Sequence, residues 1–176
     1  MITALTALAL AASAAPAPAT AAPEVNASET PFQAWILRCE TRPDPKPPVT
    51  MCGLMSVVKA QNEAGQSAVL ASIMLRPVPG ADTYQLSFSL PLSVMLQPGA
   101  RIADARDTAI VTLPFVACRA HGCEAGAVLT KDQLNALLAS TEASSVSYDL
   151  QNRQTMKLAF SMAGFKSAFE ALNAKR

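Results

Sequence analysis

The chain has 176 residues, and its 14 Lys and Arg nearly balance 13 Asp and Glu for a formal net charge of +1. A near-neutral chain without a basic run offers a polyanion no electrostatic handle, which argues against nucleic acid as a partner. The hydrophobic share of 51% is inflated by alanine near the N-terminus, and beyond that region no stretch approaches the ~20 apolar residues that a membrane-spanning helix needs.

Met1 to Pro23 contains no charged residue, and Ile2 to Ala12 is a short apolar run dominated by Ala and Leu. Ala12-Ser13-Ala14 and Ala19-Thr20-Ala21 are both small-x-small triplets of the kind a signal peptidase cleaves, so the stretch reads as a secretory leader. No Lys or Arg precedes the apolar run, which leaves room for a true start upstream of Met1. Residues 1–21 are therefore expected to be a cleavable signal peptide, with cleavage after position 14 as the alternative. Residues 22–31 are expected to be a flexible lead-in and 32–174 a single domain, long enough to bury a core of its own. Export implies a periplasmic or secreted protein without a membrane span in its mature form. An even set of four cysteines behind an export signal reads as disulfides. Cys39, Cys52, Cys118 and Cys123 allow three pairings, and the close spacings favour Cys39–Cys52 and Cys118–Cys123. Closing a loop of about 13 residues contributes ~3 kcal/mol in the chain-entropy account.

In chain order, Glu24 to Pro31 is polar, and Phe32 to Cys39 reads as a first strand with an aromatic and aliphatic set. Pro43-Asp44-Pro45-Lys46-Pro47-Pro48 lacks the backbone donors of a central strand or helix and is expected to be an exposed, polyproline-like loop held at its base by the first disulfide. Cys52 to Lys59 and Ala68 to Arg76 are β-rich runs around the turn residues Asn62 to Gln66, which suggests a hairpin. Gly80 to Asp82 is a turn. Tyr84 to Leu90 alternates apolar and polar with period two, as a half-buried strand does. Pro91 makes Leu90 to Leu96 an edge or a bend, and Gln97-Pro98-Gly99 is a turn. Ile102 and Ile110 to Phe115 continue the strand pattern around a turn near Asp107. Cys118 to Cys123 is read as a tight loop and Ala125 to Leu129 as a strand. Thr130-Lys131-Asp132-Gln133 is a capping-box signature opening a helix to about Ala139, with Leu134, Leu137 and Leu138 inward. Ser145 to Leu150 and Met156 to Phe160 form a last strand pair, and Phe165, Phe169 and Leu172 repeat at helical spacing. About nine strands follow one another without regular helical crossovers. The expected fold is mainly β, an antiparallel sandwich or barrel-like core with two short peripheral helices.

Candidate chemistry is sparse. His121, the single histidine, lies between Cys118 and Cys123, where two thiolates and an imidazole could begin a zinc site. A fourth ligand is missing, and an oxidising compartment opposes free thiolates, so an exposed histidine beside a structural disulfide is the preferred reading. The same pair has four intervening residues rather than the Cys-x-x-Cys of catalytic dithiols. The sequence holds neither a G-x-S-x-G elbow nor a phosphate-cradling glycine loop. Glu40, Asp44, Asp104, Asp107 and Glu124 read as solvated loop charges rather than an acid/base pair. Met51, Met55, Met74, Met95, Met156 and Met162 supply thioethers suited to Cu(I), but their dispersed spacing favours core filling.

These landmarks resemble the invasion-associated locus B family. Trp35-x-x-x-Cys39 followed by Cys52 is similar to its opening. Leu90-Pro91-Leu92-Ser93-Val94 with Pro98-Gly99 looks like its central segment, where glycine more often stands at Ser93. Phe115-x-x-Cys118-x-x-x-Gly122-Cys123-x-Ala125 is similar to its second cysteine pair, and Ser161-x-x-Gly164-Phe165-x-x-Ala168-x-x-x-Leu172 to its C-terminal signature. The resemblance spans Phe32 to Leu172. It implies an exported envelope or secreted protein with two local disulfides and a β-rich fold, and it carries over no catalytic residue. The family is named for host-cell invasion in a pathogen, and its members also occur in non-pathogenic bacteria. The expected function is a non-enzymatic module that binds an unknown protein or envelope component without a cofactor or metal, with Pro43 to Pro48 as the candidate partner-binding loop. The alternative is a periplasmic redox or copper- or zinc-handling protein.

Overall fold

A computed structural model describes residues 26–61 and 65–176; the expected leader and most of the turn around Asn62 lie outside the described residues. Among the described residues there are eleven strands and two helices: β1 (Asn26–Phe32), β2 (Trp35–Arg42), β3 (Val49–Gln61), β4 (Ser67–Pro77), β5 (Tyr84–Leu90), β6 (Ala100–Ala103), β7 (Ala109–Leu113), β8 (Phe115–Arg119), β9 (Gly122–Val128), α1 (Lys131–Ala139), β10 (Ser144–Asp149), β11 (Thr155–Phe160) and α2 (Phe165–Asn173). They form two sheets, a seven-stranded one in the order β1-β2-β3-β4-β5-β9-β8 and a four-stranded one in the order β11-β10-β6-β7. Every strand pair is antiparallel. Neither sheet closes on itself, so the fold is the sandwich of the two expected forms and not the barrel.

Cross-strand register explains why the layers stick. In the large sheet Leu37, Leu54, Leu75, Leu86 and Ala127 stand opposite one another in a row across five strands. In the small sheet the corresponding row is Leu158, Val146, Ile102 and Val111. Period-two alternation points each row at the other sheet. Tyr84, Leu86, Phe88 and Leu90 of β5 are buried while Gln85 and Ser89 face water. Phe88 meets Phe160 of the small sheet edge-on, with ring centroids 5.5 Å apart. The interior is filled: the gap among Trp35, Phe88, Leu137 and Phe160 measures only about 10 Å³, about one water-sized probe.

The helices follow their sequence signals. Thr130 Oγ1 accepts from Gln133 N at 3.2 Å, and Gln133 Oε1 accepts from Thr130 N at 2.9 Å, which completes the capping box of α1. α2 buries Phe165, Ala168, Phe169 and Leu172 on one face.

Several boundaries differ from the sequence reading. The lead-in is, from Asn26 onward, strand β1, paired along its whole length with β2. Phe32 ends β1, and a turn at Gln33-Ala34 separates it from Trp35. Cys118 to Cys123 is not a bare loop but the end of the β8–β9 hairpin, with Cys118 directly opposite Cys123. The proline segment also departs from an extended rod. Arg42 and Val49 are cross-strand partners, so the residues between them reverse direction through a run of bends.

Candidate functional site

The strand ends at one side of the large sheet build a projecting arm. β3 is long, and its pairing with β4 begins only at Leu54. The Val49–Gly53 stretch pairs with β2 alone, and β2 pairs outward with β1. β4 still flanks Gly53 through Leu75 and Arg76 and ends at Pro77, so β1, β2 and Val49 to Met51 run past its end as a three-stranded arm. Asn26 to Pro31 and Arg42 to Met51 are exposed, whereas Arg38 to Thr41 are half-buried. Cys39 and Cys52 still pack against the core, and beyond them the ribbon needs other ties. On one face Cys39 and Cys52 stand directly opposite each other and are joined by a disulfide. Nearer the tip on that face, Thr41 Oγ1 and Thr50 Oγ1 share a hydrogen bond of 2.9 Å. On the other face Arg38 donates from Nη1 to Glu29 at 2.7 Å and from Nε to Glu40 at 2.8 Å, linking β1 to β2. The Glu40 contact, then that of Glu29, raises the guanidinium pKa further above its ordinary value.

Pro43, Asp44, Pro45, Lys46, Pro47 and Pro48 form the tip of this arm, and all six are exposed. Neither Asp44 nor Lys46 makes an ion pair among the described residues. The Cys39–Cys52 disulfide does not sit at the loop's base, since the pairs Glu40–Met51, Thr41–Thr50 and Arg42–Val49 intervene. It braces the arm instead. Val49 and Met51 beside the tip are each 42% exposed, which gives the arm some apolar surface.

The other candidate groups are held apart. Glu40 is engaged by Arg38. Asp104 closes the β6–β7 turn by accepting from Thr108 N at 2.8 Å and Arg106 N at 2.9 Å, and the Thr108 bond is the main reason its pKa falls below the ordinary value. Asp107 lies between Lys157 and Arg101, at 3.0 and 3.1 Å, and the Lys157 contact first, then Arg101, lowers its pKa. Glu124 faces Arg119 at 3.8 Å. Each carboxylate is committed to a different cation or turn, so no two of them share a reacting position. His121 is exposed at the β8–β9 turn, next to cysteines whose sulfurs are bonded to each other. Among the methionines, Met55 and Met74 are brought face to face across β3 and β4. Arg76 Nε donates to the Met74 sulfur.

The family model for "Invasion associated locus B (IalB) protein" matches residues 35–173. The chain belongs to this family. A similar fold is seen in a solved structure, that of invasion associated protein B from Bartonella henselae. It superposes with a TM-score of 0.67 at 17% identity, covering 84% of this chain and 95% of that one. No curated protein matches the chain. The family landmarks have structural reasons here. Gly164 caps α2 at φ +83, and a β-carbon there would collide with the carbonyl oxygen of Phe32. Gly122, at φ +148, packs against the carbonyl of Leu90 in the same way. Ser93 adopts φ +73, so the serine occupies a left-handed turn of the kind that favours glycine.

Sequence reasoning missed the β1 half of the arm and the Glu29–Arg38–Glu40 cluster. Their alternation, Glu29 opposite Arg38, becomes legible only once the pairing of β1 with β2 is known.

Proposed function

We propose that this IalB protein is an exported, non-enzymatic interaction module that engages an envelope or extracellular protein through the tip of its β-arm. The observation that supports it is the arm itself. A three-stranded ribbon runs past the end of β4, a disulfide braces it, and its proline-rich tip stands in solvent, with Asp44 and Lys46 outside any ion pair among the described residues. Prolines restrict the unbound chain, so less conformational entropy is lost on docking. The invasion-associated name carried by the family and by the Bartonella protein fits a role at a cell surface. Export is supported by the leader-like first residues and by four cysteines that are all paired. The separate engagement of Glu40, Asp104, Asp107 and Glu124 favours binding over catalysis.

The test replaces Pro43, Pro45, Pro47 and Pro48 by alanine together. The tip contributes nothing to the core, so the variant should still fold, losing only the roughly 0.4–1 kcal/mol per proline that a freer unfolded chain costs, while its affinity for a partner cross-linked to the wild type falls at least about tenfold. Unchanged affinity would make the tip a connector only.

A further inference from the structure

α1 lies so that only part of its apolar face is covered. Leu137 is buried, but Leu134 and Leu138 stay half-buried and wall a cleft of about 580 Å³ between α1, α2 and the start of β5. That volume is within the range of small-molecule sites, which combine an apolar wall with a few convergent polar groups. The facing wall is Phe169 of α2, whose ring lies 4.9 Å from that of Tyr84.

Polar groups gather at the mouth. Arg176 donates from Nη1 to Tyr84 Oη and to Asp82 Oδ1, both at 2.9 Å, and from Nη2 to the carbonyl of Ala81 at 2.7 Å. Its guanidinium lies 5.1 Å from the Tyr84 ring centroid, and Tyr84 Oη donates to Asn173 Oδ1. This network fixes the guanidinium in place. Lys131 lines the same mouth from α1 and has no ion-pair partner among the described residues. The mouth thus holds two cations, of which only Arg176 is paired, with Asp82, whose side chain is 99% exposed. So exposed an ion pair is weak and easily exchanged.

We propose that this cleft binds a small amphipathic carboxylate. Its alkyl or aryl part would rest on Leu134, Leu138 and Phe169, and its carboxylate would bridge Lys131 and Arg176, taking over the position of Asp82. The site is independent of the arm tip and adds a small-molecule ligand to a protein-binding role. Charge complementarity selects the anion, and the leucines select the tail.

The probe is decanoate, titrated below its micelle-forming concentration into the folded, disulfide-intact protein and followed by calorimetry and amide chemical shifts. Saturable binding is expected, with shifts at Leu134, Leu138, Phe169 and Asn173, and decanol should bind about tenfold more weakly or worse. Lys131→Glu lies at an exposed first-turn position where an acidic residue is tolerated, so it should leave the fold intact and weaken decanoate about tenfold. Asp82→Asn removes the competing carboxylate and should tighten binding. Absence of saturation, equal affinity for decanol, shifts confined to other surfaces, or full affinity in Lys131→Glu would each overturn the proposal.

Discussion

Trp35 Nε1 donates to the carbonyl oxygen of Ser161 at 3.0 Å, a bond that spans 126 positions of chain. The same indole packs on Phe165 at 4.7 Å between ring centroids, and its neighbour Ala34 donates from N to the carbonyl of Ala163 at 3.2 Å. The root of the arm is thereby fastened to the segment that opens α2. Trp35→Phe keeps most of the apolar contact but leaves the Ser161 carbonyl without its donor. A loss of about 1–3 kcal/mol is expected in denaturant unfolding. An unchanged midpoint would show that the carbonyl finds water instead.

The left-handed turns make opposite predictions at two positions. At Gly164 a side chain is both strained and obstructed by Phe32, so Gly164→Ala should destabilise by more than about 1–2 kcal/mol. At Ser93 the strain is already present. Ser93→Gly relieves it and loses part of the gain to the freer unfolded chain, for a net stabilisation of about 0.5 kcal/mol. Thermal melts of the two variants should therefore move in opposite directions.

Removing the arm's brace should act locally. Cys39→Ser with Cys52→Ser opens a link between residues 13 apart in sequence, and the stability cost should be at most about 3 kcal/mol. The core rows of leucine and valine are untouched, so the domain should still fold. Hydrogen exchange should quicken over Asn26 to Pro31 and Arg38 to Met51 and remain slow in β5 and β10. Uniform quickening would mean that the arm and the core unfold together.

Acid stability should depend on Asp104 and Asp107. Both carboxyl groups titrate below their ordinary value in the folded protein. Their contribution is therefore complete above the unfolded carboxyl pKa of about 4 and disappears as pH falls through the lower, folded values. Asp107→Asn removes the charge that Lys157 and Arg101 share, so its stability should fall less than that of the wild type between about pH 4 and pH 2. Parallel curves for the two proteins would contradict this assignment.

What the sequence revealed depended on whether a residue's partner was local. The alternation of Tyr84 to Leu90, the capping box at Thr130 and the spacing of Phe165, Phe169 and Leu172 are short-range patterns, and each corresponds to the element expected. The two disulfides agree with the close-spacing preference because each links facing positions of one hairpin. β1 escaped notice because Asn26 to Pro31 covers no core and so has no apolar period to read. The turn at Gln33-Ala34 carries none of the usual Gly, Pro or Asn markers, although Gln33 adopts φ +55. At the arm tip, composition sufficed to place the prolines in solvent. The position of the disulfide some way from the loop required the register.

Site-specific photo-cross-linking tests the interaction account most directly. A photoreactive residue replaces Lys46 at the arm tip in one protein and Arg106 in another, the latter 88% exposed on the β6–β7 turn of the other sheet. Both are irradiated with the native envelope fraction. The account predicts a discrete protein adduct from position 46 that is absent at position 106 and lost when the four tip prolines are alanine. Equal adducts from both positions, or an adduct from 106 with none from 46, would contradict it.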